Sequence, residues 1–344
     1  MAKFVIKKGD LASHQEPEPQ QPAQAPRFVI RKNEQEAPPA PAAGGAPRFV
    51  IRKGESAPTA YTSTRQIRIG KAAHGSYPNV RDTVEGGRYR IDEVIGEGGS
   101  GRVCRAYDLL LDMVVAIKFL NPDLVRDEES IASLKSETRI CLQLVHKHIV
   151  RIYNLEKRGA NFMLIMEYLK GSTLFSFLQQ YPEGLPLDFV AQIVAVATDA
   201  LGYAHAHGIL HKDITPGNIF LTDDDVLKVI DFGIASNVGA QNRDSDTIIG
   251  TPIYMSPEQL RGEILDCRTD IYSLGVLVHQ LLTGRTVNAP DATIQDMAFS
   301  PRPPIEGLPQ PLAEVIACAT SFSPADRWET MERFGAAFAA AAAR

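Results

Sequence analysis

RYRIDEVIGEGGSGRVCRAYD, Arg88 to Asp108, decides how the rest of the chain is read. Both of its ends alternate apolar and polar residues as half-buried strands do, and glycines join them. Gly96, Gly98 and Gly101 form a GxGxxG, in which missing side chains let backbone N–H groups approach phosphates closely. That spacing alone is a weak signal, shared with ordinary glycine-rich hairpins. A dinucleotide-binding turn leads from a strand into a helix, whereas this one leads into another strand, so the dehydrogenase reading is set aside on context.

Working outward, the pattern predicts a strand over Met113–Phe119, a helix with charges on one face over Glu128–Val145, and strands over Val150–Glu156 and Phe162–Tyr168. After Gly171 the periodicity turns helical, over Leu187–His207, Tyr272–Thr283 and Leu312–Thr320, with a loop-rich section from Lys212 to Pro257. The expected class is α+β, a small β-rich lobe on a larger helical one. The most apolar long run, Phe189 to Gly208, contains Gln192 and Asp199 and has helical spacing, so it reads as an amphipathic core helix and no membrane span is expected. The start, MAKFVIKKGD, lacks the apolar core of a secretory signal. Cys104, Cys141, Cys267 and Cys318 stand far apart with neither disulfide-framework nor zinc spacing, which fits a reducing cytoplasm.

Further motifs follow in a fixed order: VAIK ending at Lys118, Glu137 on the predicted helix, HKDITPGN from His211 to Asn218, DFG from Asp231 to Gly233, and SPE ending at Glu258. With the glycine turn they resemble the protein kinase family across roughly residues 87 to 340. The resemblance implies a two-lobed kinase domain over 87–344, with an N-lobe at 87–168 and a C-lobe at 171–340. It also implies ATP and Mg²⁺ as cofactors and protein substrates as partners. Lys118 would bind the α- and β-phosphates, directed by Glu137, in a pair that forms only when the helix swings inward. Asp213 stands where the family places the carboxylate that orients the substrate hydroxyl and accepts its proton, and Asn218 and Asp231 offer hard oxygens for Mg²⁺. By position, Ile95 and the three glycines would cover the nucleotide. Glu167 and Leu169, just past Met166, would pair with the adenine edge, and Val103, Ala116 and Phe220 would sandwich the ring. Asp270 resembles the buried aspartate that holds the catalytic loop, Arg327 resembles the partner of Glu258, and Cys141, Ile152, His211 and Phe232 resemble the apolar column linking the lobes.

Two positions depart from the commonest HRDxKPxN form. Lys212 replaces arginine, and Thr215 stands where most serine/threonine kinases carry a lysine that touches the γ-phosphate. Loss of one preorganised donor beside a transferring group costs about 2–4 kcal/mol of transition-state stabilisation elsewhere. The alternative reading is therefore a pseudokinase that binds nucleotide and scaffolds through its tail, set against the retention of Lys118, Glu137, Asp213, Asn218 and Asp231. Thr251 resembles the threonine that braces Asp213 in serine/threonine kinases. Ser245 and Thr247 are the candidate autophosphorylation sites, whose phosphate would pair with Lys212. Asp244 and Asp246 already supply negative charge there.

Upstream lies a different material. Residues 1–80 carry 12 Lys and Arg against 6 Asp and Glu and hold 10 of the 23 prolines, whereas the whole chain has a formal net charge of −5. Such a stretch cannot bury enough apolar surface to offset its ordering entropy and reads as a disordered basic tail. RFVIRK occurs at Arg27–Lys32 and again at Arg48–Lys53, with KFVIKK at Lys3–Lys8. Each copy alternates like a short strand without a sheet, and three copies on linkers suit multivalent docking to a sheet edge of a substrate, a scaffold or the kinase's own acidic surface. Spread of a neutral segment by duplication is the competing account. Specific nucleic-acid binding is not expected, because prolines and acids interrupt the basic residues.

Overall fold

The computed structural model describes residues 61–62, 77–84, 86–122, 125, 127–158, 161–232, 252–288 and 292–344. The three hexamers, Gly233, Ser245, Thr247 and Thr251 lie outside the described residues.

The first sheet comprises β1 (Tyr61–Thr62), β2 (Thr83–Val84), β3 (Tyr89–Gly98), β4 (Gly101–Asp108), β5 (Met113–Leu120), β6 (Ile152–Arg158) and β7 (Asn161–Glu167). Its order is β1-β3-β4-β5-β7-β6, with β2 also paired to β3. All pairings are antiparallel except β1 on β3, where Tyr61 and Thr62 lie parallel to Gly96 and Glu97. The period-2 alternation explains why the sheet has two packed faces. Val115, Ile117 and Phe119 of β5 join Tyr89, Ile91, Cys104 and Ala106 on one face. Ala116 and Leu120 join Leu134 and Cys141 on the other. Lys118 shares the parity of Ala116 and Leu120, and so it is carried to the face that meets the helix and the cleft.

That helix, α1 (Glu128–Cys141), starts at Asp127, whose carboxylate accepts from Ser130 N at 2.7 Å, with Glu128 and Glu129 in its first turn. It stops short of the predicted Val145. Gln143 and Leu144 bond to carbonyls three residues back, which tightens and ends the helix, and Leu144 turns into the core.

The larger lobe contains α2 (Leu174–Gln180), α3 (Leu187–Ala206), α4 (Pro257–Arg261), α5 (Cys267–Thr283), α6 (Ile294–Phe299), α7 (Gln310–Ala319) and α8 (Met331–Ala342). Helix α3 is long and apolar enough to cross a membrane, but it is mostly buried, with Val190, Ile193, Ala197 and Leu201 in the core beside Phe334 and Phe338 of α8. Helix α5 begins five residues ahead of the predicted Tyr272. Asp266 caps it through Arg268 N at 2.8 Å, and the polar Thr269 and Asp270 of its first turn are buried, which hides that turn from a hydrophobicity pattern. Inside the stretch read as loop-rich lie β9 (Ile219–Thr222) and β10 (Leu227–Val229), which with β8 (Gly171–Thr173) form a small sheet ordered β10-β9-β8. Strands of three or four residues are too short to show a period.

Candidate active site

The glycine-rich turn joins β3 to β4, with Gly98 opposite Gly101. Gly101 has φ 141°, and a Cβ there would collide with the Phe119 carbonyl, so only glycine fits. The turn is tied to the end of β5 through Asn121, whose Nδ2 donates to Gly99 O at 3.1 Å and whose backbone N–H donates to Ser100 O at 3.0 Å. Its backbone is therefore held above the cleft into which Lys118 points.

Opposite, the segment His211–Asn218 is shaped by one carboxylate. Asp270, fully buried in the first turn of α5, accepts from His211 N at 2.7 Å and Lys212 N at 2.8 Å, and His205 Nε2 lies 2.7 Å from it. Burial works to raise the Asp270 carboxyl, yet His205, His211 and the backbone N–H bonds overcome it and hold the group below the usual carboxylate range. This clamp fixes Lys212 at φ 63°, a conformation that a non-glycine residue adopts only when its surroundings demand it. Gln259 Nε2 closes the far side by donating to Lys212 O at 2.7 Å.

The next residues converge. Asn218 Nδ2 donates to Asp213 O at 2.7 Å and to Asp213 Oδ2 at 2.9 Å, leaving the amide oxygen of Asn218 as an acceptor for another group. Ile230 N donates to Asn218 O at 2.9 Å, which brings Asp231 alongside, and Lys118 Nζ pairs with Asp231 Oδ1 at 3.0 Å. Asp213 borders the cleft and is half-buried. Burial pushes its carboxyl up and Asp231 adds to this, against His211, Asn218 and Lys118.

The ammonium of Lys118 pairs with Asp231 in this structure rather than with the predicted Glu137. The charge of Glu137 acts instead on Lys212, where it and Asp270 oppose the lowering caused by burial. Cys141, Ile152 and Phe232 lie in one apolar cluster, and the rings of His211 and Phe232 are 4.7 Å apart. Val103 packs against the cluster that contains Ala116 and Met166. Leu169 packs against Val150, Phe220 and Ile230, and Ile95 is buried. Glu167 is anchored by its N–H to Arg151 O at 2.8 Å and by its carboxylate to Lys228 Nζ at 2.9 Å. Thr215, in the position that departs from the common motif, is buried ahead of the turn Pro216–Asn218 and brings no charge to the site.

Residues 89–327 match the family described as Protein kinase domain. The chain belongs to the protein kinase family. Among its relatives, the serine/threonine-protein kinase PknL of Mycobacterium tuberculosis is 35% identical over 258 residues, covering 72% of this chain and 64% of PknL. The serine/threonine-protein kinase pkn3 of Myxococcus xanthus is 35% identical over 272 residues, covering 72% of this chain and 49% of pkn3. The chain thus spans less than two thirds of the length of these relatives. A double-mutant form of the Mycobacterium tuberculosis PknI kinase domain superposes with a TM-score of 0.62 at 26% identity, over 77% of this chain and 100% of that domain. The two-lobed architecture is therefore that of the family, which as a whole uses ATP with a divalent metal ion and acts on proteins.

Three contributors to the site carried no sequence signal that could be separated from background. His205 is a third partner of Asp270, Gln259 braces Lys212, and Asn121 fastens the glycine turn. Each acts across a fold contact between elements distant in sequence.

Proposed function

We propose that the chain is a serine/threonine protein kinase that transfers the γ-phosphoryl group of ATP to serine or threonine hydroxyls of proteins. The meeting of two pairs, Asp213 with Asn218 and Lys118 with Asp231, joined through the Ile230 N–H to the Asn218 carbonyl, carries this reading. Asp213 orients the substrate hydroxyl and takes its proton, and Lys118 holds the α- and β-phosphates. The glycine-rich turn offers backbone N–H groups to the phosphates, while Val103, Ala116, Phe220 and Leu169 enclose the adenine ring. The free carbonyl oxygen of the Asn218 amide and the carboxylate of Asp231 form the hard donor set that Mg²⁺ prefers, and they would hold it. Bound there, the ion would neutralise charge on the triphosphate. The names of the relatives support serine/threonine specificity, and retention of Lys118, Glu137, Asp213, Asn218 and Asp231 weighs against a pseudokinase. A cytoplasmic signalling role fits the four unpaired cysteines.

The test is incubation of the full chain with γ-labelled ATP, Mg²⁺ and a basic carrier protein, followed by phosphoamino-acid analysis. Label on serine and threonine is expected. Nucleotide binding without label would establish the pseudokinase instead, and label on tyrosine would overturn the specificity. Autophosphorylation is assigned to Ser245 and Thr247, to be sought by phosphopeptide mapping of the same reaction.

The raised Asp213 carboxyl sets a pH dependence. A base must be ionised, so activity is full above its pKa and lost as pH falls through it. The acid limb of kcat/KM is expected above the position an ordinary aspartate would give. Asn218→Ala removes a bond that favours the ionised form and should move that limb higher still, measurable in a pH–rate series at saturating metal.

The repeats are read as a docking tail, with the domain's own surface as one target. In support, β1 follows the third hexamer closely in sequence and already lies on the edge of β3, a strand that carries Asp92, Glu93 and Glu97. Deleting residues 1–76 should lower hydrogen-exchange protection at Gly96 and Glu97 and reduce capture of partner proteins. Unchanged exchange at both amides together with unchanged capture would leave duplication of a neutral segment as the account.

A further inference from the structure

The segment that precedes β3 runs along the outer edge of that strand. Ile91 exchanges two backbone bonds with it, accepting from Arg81 N at 2.8 Å and donating to Asp82 O at 2.9 Å, and β2 continues the contact by pairing with Arg90 and Tyr89. Residues matching the protein kinase family begin at 89, so this segment, with Tyr77 ahead of it, lies outside the matched domain. Its side chains are nonetheless built into the lobe. Val84 is fully buried, and Tyr77 packs against the cluster of Tyr89, Ile91, Cys104 and Ala106, on the face of the sheet turned away from the cleft.

Arg102 follows Gly101 at the start of β4 and shares the parity of Cys104 and Ala106, so its side chain leaves the glycine-rich hairpin on that outer face, opposite Val103. There its guanidinium lies over the Tyr77 ring, 4.7 Å from the centroid. Nη2 also donates to both carboxylate oxygens of Glu97 at 3.2 Å, and Glu97 is the residue opposite Arg102 in the β3–β4 register, one step from Gly98 and Gly101. One guanidinium therefore ties the two limbs of the hairpin together and seats them on a ring supplied from outside the hairpin. The Glu97 side chain is 57% exposed, so the ion pair alone contributes little, whereas the ring beneath it rests on a packed surface. Asn121 fastens the tip of the turn at Gly99 and Ser100, and Tyr77 with Arg102 fastens the limbs behind it.

We propose that Tyr77 is a positioning residue for nucleotide binding: its ring holds Arg102, and through Arg102 the glycine-rich turn, where the backbone N–H groups of the turn meet the phosphates. This rests on the phosphate-binding role proposed above for that turn. Glycines lose more conformational freedom on ordering than other residues, and without the ring the entering triphosphate must supply that ordering itself. The effect belongs to the phosphates, because the adenine ring is held by Val103, Ala116, Phe220 and Leu169 rather than by the turn.

Calorimetric titration of ATP with Mg²⁺, and separately of adenosine, into the full chain tests this. Tyr77→Ala is expected to weaken ATP about two- to fivefold, the worth of a largely exposed cation–aromatic contact, and to leave adenosine unchanged. Tyr77→Phe, which keeps the ring, should bind ATP like the unaltered chain. Arg102→Gln, which leaves the Tyr77 ring on the sheet, should lose at least as much for ATP, and adding Tyr77→Ala to it should cost nothing further. ATP affinity of Tyr77→Ala equal to that of the unaltered chain, an equal loss for ATP and adenosine, a Tyr77→Phe protein as weak as Tyr77→Ala, or additive losses in the double variant would each overturn the assignment. Failure of the unaltered chain itself to bind ATP would instead overturn the nucleotide site on which the assignment rests.

Discussion

Asp213→Asn is expected to lower the rate of phosphoryl transfer by about 10²–10⁴, the range for loss of a positioned general base. Nucleotide affinity should stay close to that of the unaltered chain. The substitution is nearly isosteric, and the new side chain keeps an oxygen to accept from Asn218 Nδ2, the bond that in the unaltered chain spans 2.9 Å to Asp213 Oδ2. The second bond from Asn218 goes to the Asp213 backbone carbonyl and is untouched. His211 and Lys212 remain clamped on Asp270, so the loop should hold its shape. A fall in kcat with unchanged nucleotide binding by calorimetry would therefore report lost proton transfer and hydroxyl orientation. If label is incorporated equally by the two proteins, Asp213 has no such role. Lys118→Met gives a contrasting pattern, because removing the ammonium also strips Asp231 of its 3.0 Å partner and should weaken nucleotide binding together with turnover.

The parts of this site that could be read in the sequence are those whose chemistry is fixed at short range. Asp213 and Asn218 are legible through the resemblance of their one short segment to the kinase motif, and the structure adds the amide that reaches back to the carboxylate. Gly101 is legible through the GxGxxG spacing between two strands, and the structure supplies its reason, since a Cβ there would meet Phe119 O. Strand β5 could be read because its face alternation and its lysine coincide. What escaped depends on how elements settle against one another. That Lys118 meets Asp231 is a contact between segments far apart in sequence, and nothing in EESIASLKSETRIC specifies which acid the ammonium meets. His205 on α3 reaches Asp270 on α5 through packing alone. The strands β8 to β10 are held by neighbours rather than by pattern, so propensity had too few residues to act on.

Arg327→Ala is expected to destabilise the domain by about 3–5 kcal/mol, because it removes one partner of a buried ion pair and leaves the other behind. Both side chains are almost fully buried, at 0% and 4% exposure. The pairing is bidentate, Nη1 to Glu258 Oε1 at 2.7 Å and Nη2 to Oε2 at 2.8 Å, and the guanidinium also serves the carbonyls of Ser321, Phe322 and Arg268. Truncation strands all of them, and Thr269 Oγ1, at 2.9 Å from Glu258, cannot neutralise the carboxylate alone. In thermal unfolding this corresponds to a fall of roughly 10 °C for a domain of this size. The double change Arg327→Met with Glu258→Leu should recover part of the loss, since the stranded charge goes with it. The pair also has a pH signature. Burial works to raise the Glu258 carboxyl, but the bonds and charge of Arg327 outweigh it and leave the group below its ordinary value. A depressed carboxyl contributes stability that is complete above the unfolded-state pKa and is lost as pH falls through the folded-state value. The unaltered chain should therefore lose stability over that acidic window, and Arg327→Ala should lose much less there, having already lost the interaction. Equal acid sensitivity of the two proteins in denaturant titrations would show that the pair contributes packing rather than charge.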